Sequence, residues 1–263
     1  GLLSGFMDQV RQDSELDLQV IATCMHLSPE FGLTYRQIER DGFHIDRKVH
    51  MLLSSDTPVG VAKSMGLGLI GFADALDELR PNLLVVLGDR FEVLAAASAA
   101  LVARIPIAHI HGGEVTVGAF DDAIRHAVSK MAHLHFASTE AYRRRLIQMG
   151  EVPDRVFNVG APGVEIIRRL ALLSREDLAT AIHFDLASDY VLVTFHPATA
   201  EDTPSDAQCG ELLAALDACG DLRVIFTRAN ADPGGRAING LIDAYVERSG
   251  ERTVVFTSMG QVR

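Results

Sequence analysis

What most constrains this chain is the run 82–88 (NLLVVLG), apolar without a break through its middle and followed by Asp89. A run this short, between Pro81 and a Gly-Asp pair, reads as a strand covered on both faces, the situation of a strand inside a parallel sheet. The same unit then repeats. Helical periodicity over 91–104 is followed by a strand at Ile107–Ile110, a helix at 121–132, a strand at 133–137, a helix at 139–149 and a strand at 156–159. Before the run come a helix at 2–10, strands at 16–24 and 44–53, and a long helix at 58–79. Strands and helices alternating at these lengths predict right-handed crossovers and an α/β, doubly wound parallel sheet.

After Gly163 the pattern breaks. A helix to about residue 173 and a stretch rich in Ser, Asp and Glu lead into a new unit, with strand 190–195, helix 206–219, strand 222–227 and a last strand at 253–257. The expectation is two Rossmann-like domains, 1–165 and 166–263, with parallel sheets and a shared cleft, the second domain incomplete. Both ends read as cut. Only Gly1 precedes helix 2–10, so a first strand is expected to be missing, and 258–263 stops where another helix should begin. In sheets of this kind ligands bind outside the carboxyl ends of the strands, so the residues just after each strand matter most.

With 263 residues, 48% of them hydrophobic, the chain can bury more than one core. A net charge of −11 leaves no dense basic stripe for nucleic acid or for an anionic membrane, so any phosphate must be held locally. No basic segment leads into an apolar one as in a signal peptide, and no uninterrupted apolar run reaches the ~18 residues of a membrane span. Cys24, Cys209 and Cys219 show no CxxC spacing, and such an odd set fits core thiols in a reducing cytoplasm.

Three strand-end loops in succession carry ionisable residues. Asp89 follows the 82–88 strand, where Gly88 lets the backbone turn; it reads either as a carboxylate aimed at a ligand or as the N-cap of the next helix. Arg90 and Glu92 read as ordinary first-turn residues. After the next strand comes His109-Ile110-His111-Gly112-Gly113-Glu114, in which alternation puts His109 and His111 on one face and the glycines free the backbone for a close ligand. Zinc would need a third ligand near this pair, and only Glu114 is close in sequence, so acid/base or phosphate contact is the stronger reading. Asp121 and Asp122 open a helix with Arg125 and His126 one turn on, either a solvated capping pair or a third set of site residues. In the second domain His196 and Pro197 follow strand 190–195, and Arg228, Asn230 and Asp232 follow strand 222–227. Gly66-Leu67-Gly68-Leu69-Ile70-Gly71 matches GxGxxG but lies inside a helical stretch, where glycines serve close packing and not a dinucleotide.

Taken in order, MHLSPEFG from Met25, SSDTP from Ser54, GDRFE from Gly88, HIHGGEVT from His109, DDAIRH from Asp121, LHFASTEAYRRRLIQMGE from Leu134, VFNVGAPG from Val156 and TFHP from Thr194 span nearly the whole chain. This series resembles the hydrolysing UDP-N-acetylglucosamine 2-epimerases of sialic-acid and related nonulosonic-acid biosynthesis. The resemblance implies two Rossmann-like domains of the GT-B kind with a UDP-sugar between them, usually in a homodimer or homotetramer. It implies loss of UDP from C1 with removal of the C2 proton, giving a 2-acetamidoglucal, then addition of water to leave the epimerised free sugar, here N-acetylmannosamine. No metal or redox cofactor is required. Catalysis is implied for Asp89 and Asp121 with Glu114, His111 and His196, the last near the diphosphate. Substrate contact is implied for Gly112, Gly113, Asp122, Arg125, His126, Arg228 and Asn230.

In one place the chain departs from the pattern. Many relatives carry a catalytic Glu at the position of His111, while a bacterial subgroup shares the HIHGGE form, so His111 and Glu114 share that role in a way the sequence leaves open. The Gly-Thr-Arg and Ser-rich phosphate loops of the family are expected outside this chain. Relatives with similar motifs act on UDP-N-acetylglucosamine, the expectation favoured here, or on UDP-2,4-diacetamido-2,4,6-trideoxyglucose. A glycosyltransferase of the same architecture and a silent UDP-sugar sensor are the rival readings.

Overall fold

The structure, a computed structural model, describes residues 1–196 and 203–260. The chain forms two compact units, one of residues 1–54 with 59–169 and one of residues 55–58 with 170–263.

The first unit runs α1 (Ser4–Gln12), β1 (Ile21–Thr23), α2 (Tyr35–Arg40), β2 (Arg47–Val49), α3 (Pro58–Leu79), β3 (Leu84–Leu87), α4 (Phe91–Val102), β4 (Ile107–Ile110), α5 (Asp121–Met131), β5 (Leu134–Ala137), α6 (Glu140–Gln148), β6 (Val156–Asn158) and α7 (Pro162–Arg169). All its strand pairs are parallel, β1 with β2 and, separately, β3-β4-β5-β6 in that order. The strand buried on both faces is β4, all four of whose residues are buried, and not β3, where only Val86 is. Among the described residues β3 has a single hydrogen-bonded neighbour, which leaves its other edge less covered. The expected strands at 16–24 and 44–53 shrink to three residues each, because alternation extends beyond the residues that find a partner strand.

Helix α3 is, among the described residues, the one helix long and apolar enough to cross a membrane on length and composition. Its Val61, Phe72, Ala75 and Leu76 lie in the main core with Met51, Val86, Phe91 and Val128. Two of the GxGxxG glycines serve this packing, while a Cβ on Gly66 would meet open space. A Cβ on Gly68 would lie 2.7 Å from Met51 Cε and 3.2 Å from Ala95 Cβ, and one on Gly71 2.7 Å from Val49 Cγ1.

The second unit holds α8 (Arg175–Ile182), β7 (Tyr190–Thr194), α9 (Ser205–Ala218), β8 (Arg223–Thr227), α10 (Gly235–Ser249) and β9 (Thr253–Phe256), with its strands parallel in the order β7-β8-β9. Val224, Phe226, Ile238, Ile242 and Tyr245 form its core. Cys24 and Cys209 are buried thiols, but Cys219 is exposed, since it caps the C-terminus of α9 instead of facing the sheet.

Candidate active site

The carboxyl ends of β3, β4 and β5 bring three segments of the first unit together. Gly88, with φ +82°, ends β3 and turns the chain into Asp89. Asp89 is not the N-cap of α4; that position is Arg90, which makes no side-chain cap bond. Its carboxylate instead pairs with the Arg125 guanidinium on α5, in a short contact from Nη2 to Oδ2. Arg125 also donates to Thr116 Oγ1 at 2.9 Å, and its side chain is only 7% exposed. Among the described residues Nε and Nη1 of Arg125 are buried without a hydrogen-bond partner, with Asp122 Oδ1 3.8 Å from Nη1. A guanidinium offers five donors in a fixed fork, so this side chain holds Asp89 with donor capacity to spare.

Asp122 accepts the backbone N–H of Thr116 at 2.8 Å and lies 3.7 Å from His126 Nε2, so it fastens the loop between β4 and α5. The Nδ1 of the half-buried His126 has no hydrogen-bond partner among the described residues. Asp121, partly buried, is the first residue of α5.

Alternation along β4 fails after Ile110. His111 takes a left-handed φ of +66°, a conformation that costs a non-glycine residue on the order of 1–2 kcal/mol. His109 and His111 therefore part company. His109 is fully buried, with Nδ1 3.1 Å from Ser129 Oγ and Nε2 2.7 Å from the Gly88 carbonyl, so neither nitrogen is open to a metal shared with His111. His111 is partly exposed, and its Nδ1 lies 2.6 Å from Glu114 Oε1, which also accepts from Ser138 Oγ at 2.6 Å. With Nδ1–H given to the carboxylate, Nε2 of His111 is the nitrogen that can take a proton. Ser138, at the end of β5, escaped the sequence reading although it stands in a strand-end position.

Gly112 and Gly113 also have a packing role. Both are buried, and the reason they are glycine is the protein itself: a Cβ on Gly113 would lie 2.5 Å from the Tyr142 carbonyl and 2.9 Å from Leu146 Cγ, and one on Gly112 3.0 Å from Ser129 Oγ. They seat the loop on α5 and α6. Arg90 and Glu92, at the start of α4, pair at 2.9 Å in a partly buried position.

In the second unit His196 is exposed just after β7, and Pro197 lies outside the described residues. Arg228 makes a two-pronged ion pair with Asp243 on α10, at 2.9 and 2.7 Å, which occupies the fork expected for a substrate. Asn230 folds back to accept from the Asp232 N–H at 3.1 Å, and Asn239 pins the same loop by accepting from the Ala229 N–H at 2.8 Å. These contacts shape the turn into α10.

Burial pushes His109 down to about 4, its bond to the Gly88 carbonyl opposing this in part, and burial lowers His135 too, against the pull of Glu151. Both rings are thus easier to protonate once the chain unfolds, where histidine titrates near 6.5. The unfolded state binds more protons between about pH 4 and 6.5, so this stability is complete above that window and is lost as pH falls through it. The urea midpoint should drop between pH 7 and pH 4.5, and the drop should be smaller in His109→Gln; an equal drop in the two proteins would remove His109 as a source.

The sequence matches the UDP-N-acetylglucosamine 2-epimerase family over residues 8–263. It is 42% identical over 259 residues to the GDP/UDP-N,N'-diacetylbacillosamine 2-epimerase (hydrolyzing) of Campylobacter jejuni, covering 98% of this chain and 67% of that protein. With the UDP-N,N'-diacetylbacillosamine 2-epimerase (hydrolyzing) of Legionella pneumophila the identity is 34% over 254 residues, covering 97% and 67%. The crystal structure of the UDP-GlcNAc 2-epimerase of Neisseria meningitidis, bound to UDP-GlcNAc, superposes with a TM-score of 0.72 at 16% identity over 97% of this chain and 68% of that one, a likeness of fold. The chain thus spans about two thirds of the length of these relatives. Parallel α/β units, the ordered strand-end motifs and a match over almost every residue place this chain in the UDP-N-acetylglucosamine 2-epimerase family.

Proposed function

We propose that the protein is a hydrolysing 2-epimerase of a nucleotide-linked 2,4-diacetamido-2,4,6-trideoxy sugar, the diacetylated substrate in place of UDP-N-acetylglucosamine. The observation that carries the reaction type is the pair of polar groups on successive strand ends: Asp89 held by Arg125, and His111 held by Glu114. The identity with two relatives named for diacetylbacillosamine supports the choice of sugar.

The reaction removes the proton at C2 and breaks the C1–O bond to the nucleoside diphosphate, leaving a glycal. Water then adds across that double bond, with hydroxyl at C1 and a proton at C2 on the other face. Each half needs a group that takes a proton and one that gives it. His111 Nε2, with Glu114 orienting the ring through Nδ1–H, fills one place, and the Asp89 carboxylate fills another. Asp121, at the start of α5, is the third carboxyl group in this reading. Arg125 serves this reading by holding the Asp89 carboxylate in place.

The test is to incubate the full-length protein in D2O with each nucleotide sugar alone, as UDP and GDP derivatives of the diacetamido sugar and as UDP-N-acetylglucosamine. Free sugar inverted at C2, deuterated there, and free nucleoside diphosphate are expected. Turnover fastest on UDP-N-acetylglucosamine would sink the diacetamido assignment. A requirement for an acceptor, with no deuterium at C2, would point to glycosyl transfer, and tight binding without turnover to a sensor.

A further inference from the structure

His109 is used by none of this chemistry, yet it is fully buried and both its ring nitrogens are engaged. The Gly88 N–H makes the last ladder bond to β4, to the Ile110 carbonyl at 3.0 Å. A parallel ladder would next bring a backbone N–H of the neighbouring strand to the Gly88 carbonyl. The donor due there is the Gly112 N–H, and the left-handed turn at His111 takes the chain off β3 before it, while the His111 N–H still completes the ladder on the other side, to the Phe136 carbonyl of β5 at 3.0 Å. The His109 ring takes the place of that donor, with Nε2 2.7 Å from the Gly88 oxygen. A carbonyl only accepts, so the proton sits on Nε2, and Nδ1 accepts from the Ser129 hydroxyl of α5 at 3.1 Å. Gly112 leaves room for this arrangement: a Cβ there would lie 3.1 Å from His109 Nδ1 and 3.0 Å from Ser129 Oγ.

One neutral ring thus joins the peptide immediately before Asp89 to the helix that carries Arg125, the partner of Asp89. We infer that His109 is a positioning residue that fixes the Gly88–Asp89 turn relative to α5, and so sets where the Asp89 carboxylate stands during proton transfer. The inference rests on the proposed function for its kinetic consequence but not for its geometry. A displacement of about 1 Å in a reacting group costs roughly a hundredfold in rate, so a hydrogen bond one peptide away from Asp89 is enough to matter.

Two measurements on the full-length protein test this. In the wild type, nitrogen NMR of the histidine rings at pH 7 should assign to His109 a neutral ring protonated at Nε2; a ring protonated at Nδ1, or at both nitrogens, overturns the inference without any variant having to fold. In kinetics, His109→Gln keeps an N–H as many bonds from the backbone as Nε2, whereas His109→Asn places its amide where Nδ1 was and cannot reach Gly88. Turnover in the Gln variant should stay within about threefold of wild type, while the Asn variant loses roughly a hundredfold in kcat with KM nearly unchanged, at similar melting temperatures for the two variants. Equal losses in both variants, or losses that follow melting temperature alone, overturn it. An inactive wild type would reject the proposed function and leave the NMR result to decide the strut.

Discussion

Asp89→Asn is expected to lower turnover of the nucleotide sugar by roughly a thousandfold while leaving its binding within a few-fold, the loss of a group that exchanges a proton with the substrate. Asn keeps the shape of the side chain and one oxygen that can accept from Arg125, so the fold should survive, less stable for the lost counter-charge of the buried guanidinium. What disappears is the charge and the capacity to take a proton. Calorimetric titration with the nucleotide sugar and an NMR assay for the free sugar separate the two effects. Turnover near the wild-type rate with intact binding would remove Asp89 from the chemistry and leave it as the counter-ion of Arg125.

Residue 89 also shows what the sequence carries and what it hides. That a polar residue follows a buried strand was legible from 82–88, and so was its location at a sheet edge, because the apolar run, the glycine and the rule for strand ends are all local. The choice between N-cap and site carboxylate was not local. It depends on Arg125, 36 positions away, which the fold brings back through α4, β4 and the first turns of α5. The same holds for Arg228, whose partner Asp243 lies on the following helix, 15 residues on. Alternation predicted that His109 and His111 would share a face and was defeated by a left-handed φ at His111, a backbone choice that leaves no trace in hydrophobic pattern. The glycines at 112 and 113 carried the correct signal, tight space, but the occupants of that space are Tyr142 and Leu146 of a later helix. By contrast α3 appears at the expected residues, since 22 residues of periodic sequence overdetermine a helix that short strands cannot match.

Arg125→Met should destabilise the first unit by about 3 kcal/mol, and adding Asp89→Asn should restore much of that loss. Burial already disfavours the Arg125 charge, so its presence at 7% exposure needs the facing carboxylate. Met fills similar volume without a charge and relieves that burden, yet it strands Asp89, whose side chain is 19% exposed and so keeps only part of its solvation. Removing one partner of a buried pair is costly for this reason, whereas replacing both by neutral groups can be nearly neutral. The Thr116 hydroxyl also loses its donor in the variant, at 2.9 Å in the wild type, which adds a smaller local term shared by the single and the double mutant. Urea unfolding of all four proteins, followed by circular dichroism, gives the coupling energy directly. A double mutant as unstable as the sum of the singles would mean that Asp89 and Arg125 do not depend on each other. Recovery of stability in the double mutant, with turnover still lost, would separate the two roles of the pair: the fold needs its charges matched, and the reaction needs them present.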